Sequence, residues 1–277
     1  MNLETRAPAK LNLSLYVGPR RPDGLHEIRS VFQPITLADT LTMANDTAGG
    51  ADEVVCPGVR GPNLAAAALA AFRNRFGWDG PPVRVTIEKH IPLSAGLGGG
   101  SADAAAVLRL AAAASQQRPS QAELADLAMS LGADVPSQLQ PRTALVSGAG
   151  EVVEPLPAHE VRGVLLAGRG ALSTASVYAR ADELGLARPT LEEVDVEHSH
   201  NDLEAAAVDL EPEAGMALGL LRAAGAKHAQ LSGSGPAAFG LFDDPATAAK
   251  ALAGGWRGLT AAFESAPAGY AEVRSTS

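Results

Sequence analysis

Hydrophobic and polar residues alternate near the N-terminus, in the stretch LNLSLYV at residues 11–17. Successive side chains of a β-strand point to opposite faces, so this period of two predicts a half-buried strand. Lys10 and Asn12 fall on its polar face. The same alternation at residues 83–87 predicts another strand, which leads directly into a glycine-rich segment.

Two stretches in the first half of the chain carry residues that begin and end helices. Asn63 can cap a helix that stops before Gly77. Ser120 and Glu123 have the spacing of a capping box, and Gly132 provides the stop for the helix that they begin. These signals predict two helices, one on each side of the glycine-rich segment.

The prolines at residues 155–157 interrupt this pattern and predict a domain boundary. Further elements are predicted beyond them: a strand at 161–168, helices at 174–184 and 211–224, a hairpin at 226–242, a helix at 245–253 and a strand at 259–266. Helices and strands are mixed, so the fold class predicted is α+β, with two units side by side. The predicted domains are residues 1–155 and residues 156–277.

Composition narrows the class of protein. The net charge of −9 argues against a nucleic-acid partner, because such proteins present a basic surface. The single cysteine, Cys56, cannot form an internal disulfide. No apolar run approaches the ~20 residues of a membrane helix. We therefore expect a cytoplasmic protein that has no membrane partner and no obligate protein partner.

The segment PLSAGLGGGSADAAAVL at residues 92–108 holds four glycines immediately before a predicted helix at 101–115. Glycine is costly to order, so such a cluster needs a reason. Loop amides, together with the free N–H groups and partial positive charge of a helix N-terminus, form an anion site without any lysine. The absence of Cβ atoms would allow close approach of phosphate, and Ser101 is expected at the helix cap. The segment predicts phosphate binding.

Two other interpretations of this segment remain open. Gly96, Gly98 and Ser101 nearly fit a dinucleotide-binding fingerprint, although no acidic residue follows at the expected distance. The glycines could also form a turn with a purely structural role. The lysine-containing motif of P-loop proteins is absent from the sequence, which excludes that class.

The sequence resembles the GHMP kinase family in three motifs. The family's phosphate-loop pattern fits PLSAGLGGGSA at residues 92–102, and its first motif resembles APAKLNLSLYV at 7–17. Its third motif, a glycine-rich hairpin, resembles LSGSGPAAFGLF at 231–242. Three motifs occur in the family's order and span most of the chain, which makes the resemblance specific.

Further segments resemble one branch of the family, which acts on a cytidine diphosphate-linked methylerythritol in non-mevalonate isoprenoid biosynthesis. They are RPDGLHEIRSVFQPI, LGADVP, GAGE, STASVY and HNDLE. The resemblance implies that residues 1–155 form an ATP-binding domain like the second domain of ribosomal protein S5. It implies that residues 156–277 form a ferredoxin-like domain on the substrate side. It also implies ATP-dependent phosphorylation of the 2-hydroxyl of the methylerythritol unit, with Mg²⁺ as cofactor.

The resemblance also implies roles for individual residues. Asp134 is the candidate base, in a chain segment expected to be extended because Pro136 follows. Lys10 is expected to pair with Asp134 and to stabilise the transferring phosphoryl group. The predicted ATP-binding residues are Pro92, Leu93, Ser94, Ala95, Gly96, Leu97, Gly98, Gly99, Gly100, Ser101 and Ala102. Ser101 is also the candidate Mg²⁺ contact.

The cytidine diphosphate substrate is expected to contact a second set of residues, namely Asn12, Leu25, His26, Tyr178, Gly233 and Ser234. Asn12 would orient the acceptor, His26 would bond the edge of cytosine, and Tyr178 would stack on it. Relatives carry tyrosine where this chain has Leu25, so one stacking ring is replaced by an aliphatic side chain. Three alternative functions remain: another kinase of the family, a dinucleotide-dependent oxidoreductase, and a non-catalytic sugar-phosphate sensor.

Overall fold

The computed structural model of the protein describes residues 2–46, 50–59, 63–168 and 170–276. Its strands are β1 (Asn2–Arg20), β2 (His26–Asn45), β3 (Glu53–Val55), β4 (Val83–Glu88), β5 (Ala144–Gly148), β6 (Val152–Pro155), β7 (Arg162–Ala167), β8 (His200–Asn201), β9 (His228–Leu231), β10 (Ala238–Leu241), β11 (Leu259–Glu264) and β12 (Arg274–Ser275). They form two sheets.

The helices are α1 (Leu64–Phe76), α2 (Gly99–Ala114), α3 (Gln121–Leu131), α4 (Val135–Leu139), α5 (Thr174–Glu183), α6 (Glu204–Leu210), α7 (Pro212–Ala223) and α8 (Pro245–Ala253). The predicted caps are confirmed. Asn63 accepts a hydrogen bond from the N–H of Ala65, and Gly77 ends α1 in the left-handed conformation. Ser120 and Glu123 form a complete capping box at α3. The sequence analysis did not predict α4 or α6, which are both shorter than the predicted helices.

The first sheet contains eight strands built around the long antiparallel pair of β1 and β2. The order is β12-β1-β2-β4-β3, with β5 paired to β2 and β6, and β8 paired in parallel to β1. Strands β8 and β12 come from beyond residue 155, so both halves of the chain contribute to this sheet. The domain division at residue 155 stays a prediction.

The second sheet has the order β11-β7-β10-β9 and is antiparallel throughout. The predicted hairpin of β9 and β10 is confirmed, as are the strands β7 and β11. Helices α6 and α7 pack together, and α7 contacts β9 and β10. Within the described residues, no helix is long and apolar enough to cross a membrane.

Three hydrophobic clusters hold these layers together. One lies between β1, β2 and β4 and the helices α1 to α4. Another joins β1, β2 and β5 of the first sheet to β7, β9 and β10 of the second and to the helices α5 to α8. The third also joins the two sheets, since it contains Leu11 of β1, Leu97 of the glycine-rich segment and Phe239 of β10. Each such side chain contributes roughly 1.5–3 kcal/mol on burial. The glycine-rich segment is therefore fixed at the junction of the two sheets.

Candidate active site

The middle of β1 is buried on both faces, which differs from the predicted half-buried strand. Lys10 is only 4 % exposed, and Asn12 and Ser14 are also buried. The polar face of the strand does not meet solvent because the tip of the β9–β10 hairpin covers it, with Gly233 against the side chains of Lys10 and Asn12. Lys10 and Asn12 of this polar row line a cavity.

Two irregularities in the β1–β2 pairing lie on either side of this polar row. The register shifts between Pro8 and Lys10 and again between Asn12 and Ser14. A β-bulge bends a strand locally and re-aims its side chains. The side chains of Lys10 and Asn12 therefore do not follow the regular up-and-down alternation of β1.

Lys10 has three partners. Its Nζ donates to Oδ1 of Asn12 at 2.6 Å, lies 3.8 Å from Oδ2 of Asp134, and stands 4.6 Å from the ring centroid of Phe32. Burial lowers the pKa of Lys10, and the Asp134 carboxylate opposes this shift. The arrangement provides an ammonium group that is desolvated except on the side facing Asp134.

Asp134 stands at the N-cap position of α4, with φ −84° and ψ −13°. The expectation of an extended chain at this residue was wrong. Pro136 lies in the first turn of α4, where its missing N–H would have no helical partner in any case, so proline does not prevent the helix. The Asp134 side chain does not bond its own helix and is 35 % exposed, so it is available to a ligand.

The glycines between β4 and α2 have distinct roles. Gly96 has φ +78°, and a Cβ there would stand 2.1 Å from the carbonyl oxygen of Ser232. Gly98 has φ +69° and touches the Lys10 side chain, and at Gly99 a Cβ would meet Ile91. Only at Gly100 would a Cβ point into open space. Packing therefore requires glycine at Gly96, and a Cβ at Gly98 or Gly99 would be crowded by a side chain. A Cβ at Gly100 would meet open space, which leaves room for a ligand.

The N-terminus of α2 opens beside this segment. Its N-cap is Gly98, so Ser101 is the third residue of the helix and not its cap as expected. The N–H of Ala102 donates to the Gly98 carbonyl at 2.8 Å, which leaves the amides of residues 99–101 ahead of the helical ladder. Ala102 is 1 % exposed and lies in the first core cluster, behind the groups that face the cavity.

The tip of the β9–β10 hairpin locks onto both β1 and the glycine-rich segment. Ser232 Oγ accepts from the N–H of Asn12 at 3.3 Å and donates to the carbonyl of Gly96 at 3.1 Å. Asn201 of β8 donates to the carbonyls of Leu231 and Gly233. The sequence analysis noted the SGSG tip but not these serine and asparagine contacts, which join residues distant in the chain.

A buried ion-pair cluster supports the other side of the segment. Lys89, at the end of β4, lies 2.5 Å from Asp39 and 2.8 Å from Asp103 of α2. Asp39 also accepts from the N–H groups of His90 and Ile91. Burial raises the pKa of Asp103 to about 7, against the opposing charge of Lys89. The cluster ties the strand that enters the segment to the helix that leaves it.

These elements surround a cavity of about 500 Å³. It brings together most of the predicted site residues: Lys10, Asn12, Asp134, Tyr178, Gly233, Ser234 and residues 92–101 of the glycine-rich segment. Leu64, Lys89, Phe32 and Thr174 also line it and were missed by the sequence analysis. One cavity therefore combines a helix N-terminus, a buried ammonium and a carboxylate.

Three predicted residues do not line this cavity, namely Ala102, Leu25 and His26. His26 is buried, stacks on Tyr178 with centroids 5.2 Å apart, and has its Nε2 2.8 Å from Oδ1 of Asp182. Leu25 is 49 % exposed beside it. Burial raises the pKa of Tyr178, and the charge of Asp134 adds to the shift. His26 thus lies behind the Tyr178 wall of the cavity.

Comparison with known proteins shows the family to which this chain belongs. The model of the GHMP kinases N terminal domain matches residues 63–141, and that of the GHMP kinases C terminal domain matches residues 186–254. A relative from Anaeromyxobacter dehalogenans (strain 2CP-C), 4-diphosphocytidyl-2-C-methyl-D-erythritol kinase, is 41 % identical over 263 residues, which cover 87 % of this chain and 81 % of that protein. The chain belongs to the GHMP kinase family.

Two further relatives of this GHMP kinase extend the comparison. The 4-diphosphocytidyl-2-C-methyl-D-erythritol kinase of Paracoccus denitrificans (strain Pd 1222) is 41 % identical, with 89 % of both chains covered. A crystal structure of 4-(cytidine 5'-diphospho)-2C-methyl-D-erythritol kinase superimposes with a TM-score of 0.81 at 36 % identity, covering 94 % of this chain and 98 % of that one. The likeness therefore extends over nearly the whole fold.

The lowered pKa of Lys10 predicts a basic limb in the pH profile of this GHMP kinase. If the ammonium form is required, kcat falls as pH rises through that pKa, which lies below the ordinary lysine value of about 10.4. The measurement is kcat against pH at saturating substrates. In Lys10→Arg, residual activity should lack this limb, because a guanidinium stays charged. A limb at the same pH in both proteins would contradict the assignment.

The glycine contacts predict opposite effects for two alanine substitutions. Gly96→Ala should lower the free energy of unfolding by about 2–4 kcal/mol, because of positive φ and the contact with Ser232. Gly100→Ala should leave it unchanged or raise it by up to about 1 kcal/mol, yet weaken ATP binding by filling the open space. Denaturant unfolding and nucleotide titration measure the two effects. Unchanged affinity in Gly100→Ala would place the phosphates elsewhere.

Proposed function

We propose that this GHMP kinase transfers the γ-phosphoryl group of ATP to the 2-hydroxyl of 4-diphosphocytidyl-2-C-methyl-D-erythritol, a step of non-mevalonate isoprenoid biosynthesis. The proposal rests on one observation: the glycine-rich segment and the Lys10–Asp134 pair line the same cavity. The likeness to relatives that bear this kinase's name, over more than four-fifths of the chain, supports the choice of acceptor.

The triphosphate of ATP is proposed to lie against residues 92–101. The free amides at the N-terminus of α2 and its partial positive charge favour an anion there. Lys89 lines the same cavity, but its charge is matched by Asp39 and Asp103, so the helix N-terminus is the main source of positive potential. Burial alone would lower the pKa of Lys89, but its pairs with Asp103 and Asp39 outweigh burial and raise it.

The cavity offers few protein ligands for Mg²⁺. Within the described ranges, no group of three or more His, Cys, Asp or Glu side chains could hold a metal by itself. Mg²⁺ commonly binds through substrate phosphates and water with few protein ligands, and the Ser101 hydroxyl at the cavity wall fits such a role. When bound, the ion would neutralise phosphate charge.

Asp134 and Lys10 are proposed to act on the acceptor hydroxyl. The hydroxyl oxygen forms a bond to the γ-phosphorus while the bond from that phosphorus to the β–γ bridging oxygen breaks, and ADP leaves. The hydroxyl proton passes to the Asp134 carboxylate. The Lys10 ammonium, 3.8 Å from Asp134, stabilises the negative charge of the transferring group. Asn12 lines the same wall and orients the hydroxyl.

The cytidine end of the acceptor is proposed to reach the Tyr178 side of the cavity. Tyr178 offers a ring for stacking, and His26 lies directly against that ring. Leu25 is exposed beside His26 and does not line the cavity, so it is given no contact with the base. Gly233 and Ser234, at the tip of the β9–β10 hairpin, face the centre of the acceptor. We propose that the enzyme works in the cytoplasm without an obligate protein partner.

The direct test is an assay with ATP, Mg²⁺ and 4-diphosphocytidyl-2-C-methyl-D-erythritol. We expect ADP and an acceptor that carries a new phosphomonoester on its 2-hydroxyl, which phosphorus NMR of the product identifies. Homoserine, mevalonate and galactose serve as acceptor controls for the rest of the family, and NAD as a ligand control for a dinucleotide enzyme. Turnover of another acceptor alone would overturn the proposed substrate while leaving the kinase chemistry intact.

The base assignment predicts that Asp134→Asn lowers kcat by roughly 10²–10⁴-fold. Asparagine keeps the shape of the side chain but cannot accept the proton as a carboxylate does. The melting temperature should change little, since the Asp134 side chain makes no helix-capping bond and Lys10 keeps its nearer partners, Asn12 and Phe32. Asp126→Asn, on the neighbouring helix α3 and outside the cavity, is the matched control. Activity within a few-fold of the unmodified enzyme would remove Asp134 from the role of base.

A further inference from the structure

Ser30 lies on β2 opposite the polar row of β1, and its side chain is fully buried. Its hydroxyl accepts from Nδ2 of Asn12 at 2.8 Å and donates to the carbonyl of Ser14 at 2.5 Å. Asn12 in turn accepts from Lys10 through Oδ1 at 2.6 Å. A continuous chain of hydrogen bonds therefore runs from the Lys10 ammonium to the backbone of β1.

The direction of each bond in this chain is fixed by chemistry. The Ser14 carbonyl can only accept, so the single Ser30 proton points to it. The Ser30 oxygen is then left as an acceptor, which calls for the amide nitrogen of Asn12. An ammonium can only donate, so it calls for the amide oxygen. Both ends of the Asn12 amide are thus specified, one by Ser30 and one by Lys10.

We infer that Ser30 is a positioning residue, which holds the Asn12 amide in the orientation that presents Oδ1 to the Lys10 ammonium. Its effect on turnover rests on the proposed function, in which Lys10 acts as a cation. Its effect on Lys10 itself does not, because the contacts are those of the protein without ligand.

Without the Ser30 hydroxyl, Nδ2 of Asn12 loses its acceptor, and the amide is no longer held in this orientation. Nδ2 would remain buried without a partner, which is costly. A flip of the amide would place its NH₂ group against the ammonium and remove a charge-assisted hydrogen bond. Asp134, which faces Lys10 from the start of α4, is the charged group that remains, at 3.8 Å. The charged form of Lys10 is therefore less favoured in the absence of Ser30.

Ser14 offers a matched control on the neighbouring strand. Its side chain is equally buried, and its hydroxyl accepts from the N–H of Val31 at 3.3 Å, so it does not touch Asn12. Ser14→Ala removes a buried hydroxyl from the same strand pair without altering the amide. Ser30→Thr keeps the hydroxyl and serves as the conservative rescue.

The experiment follows the titration of Lys10 by NMR of lysine labelled with ¹³C at Cε, in the protein without ligands. The sequence contains only four lysines, at positions 10, 89, 227 and 250, so Lys10→Arg identifies the signal directly. We expect the Lys10 midpoint in Ser30→Ala to fall by about one pH unit. Ser30→Thr and Ser14→Ala should titrate like the unmodified protein.

Kinetics provide the second measurement. Ser30→Ala should lower kcat about tenfold, with KM values for both substrates within about twofold, and Ser30→Thr should recover most of the loss. An unmoved Lys10 midpoint in folded Ser30→Ala, or an equal shift in Ser14→Ala, would overturn the inference whatever the substrate. A shifted midpoint in a protein that does not phosphorylate the acceptor would support the inference and overturn the proposed function instead.

Discussion

The site depends on one constraint, a lysine ammonium held almost without water. Burying a charge is expensive unless partners replace its hydration. Around Lys10 these partners are the amide oxygen of Asn12, the ring of Phe32 and the more distant carboxylate of Asp134. The bulges of β1 and the cover of the β9–β10 hairpin bring them together. Much of the surrounding structure can be understood as support for this one charged group.

The crossing of the hairpin tip with the glycine-rich segment couples substrate sites that lie far apart in the sequence. Gly96 lies so close to Ser232 that a Cβ could not fit between them, and Ser232 also bonds the backbone of Asn12. The proposed phosphate site and the proposed acceptor site are therefore parts of one packed unit. The rigidity needed for phosphoryl transfer comes from this junction.

Signals that act locally could be predicted from the sequence. The Asn63 cap, the Ser120–Glu123 capping box and the β9–β10 hairpin each depend on a few neighbouring residues, and the structure confirms them. Contacts between distant segments gave no such signal. Ser30 meets Asn12 across a strand pair and Ser232 meets it from the far end of the chain, so neither role could be inferred from local pattern. The LGADVP motif made Asp134 the candidate base, but it did not predict the helical conformation of this residue.

The pairing of β12 with β1 has a consequence for synthesis on the ribosome. Arg274 and Ser275 complete the edge of β1 at Glu4 and Leu3, so this part of β1 lacks its neighbour until both residues have been translated. Until then that border carries unpaired backbone groups, which are a template for association with other chains. A nascent chain of this enzyme is therefore open to such association until residue 275 has left the ribosome.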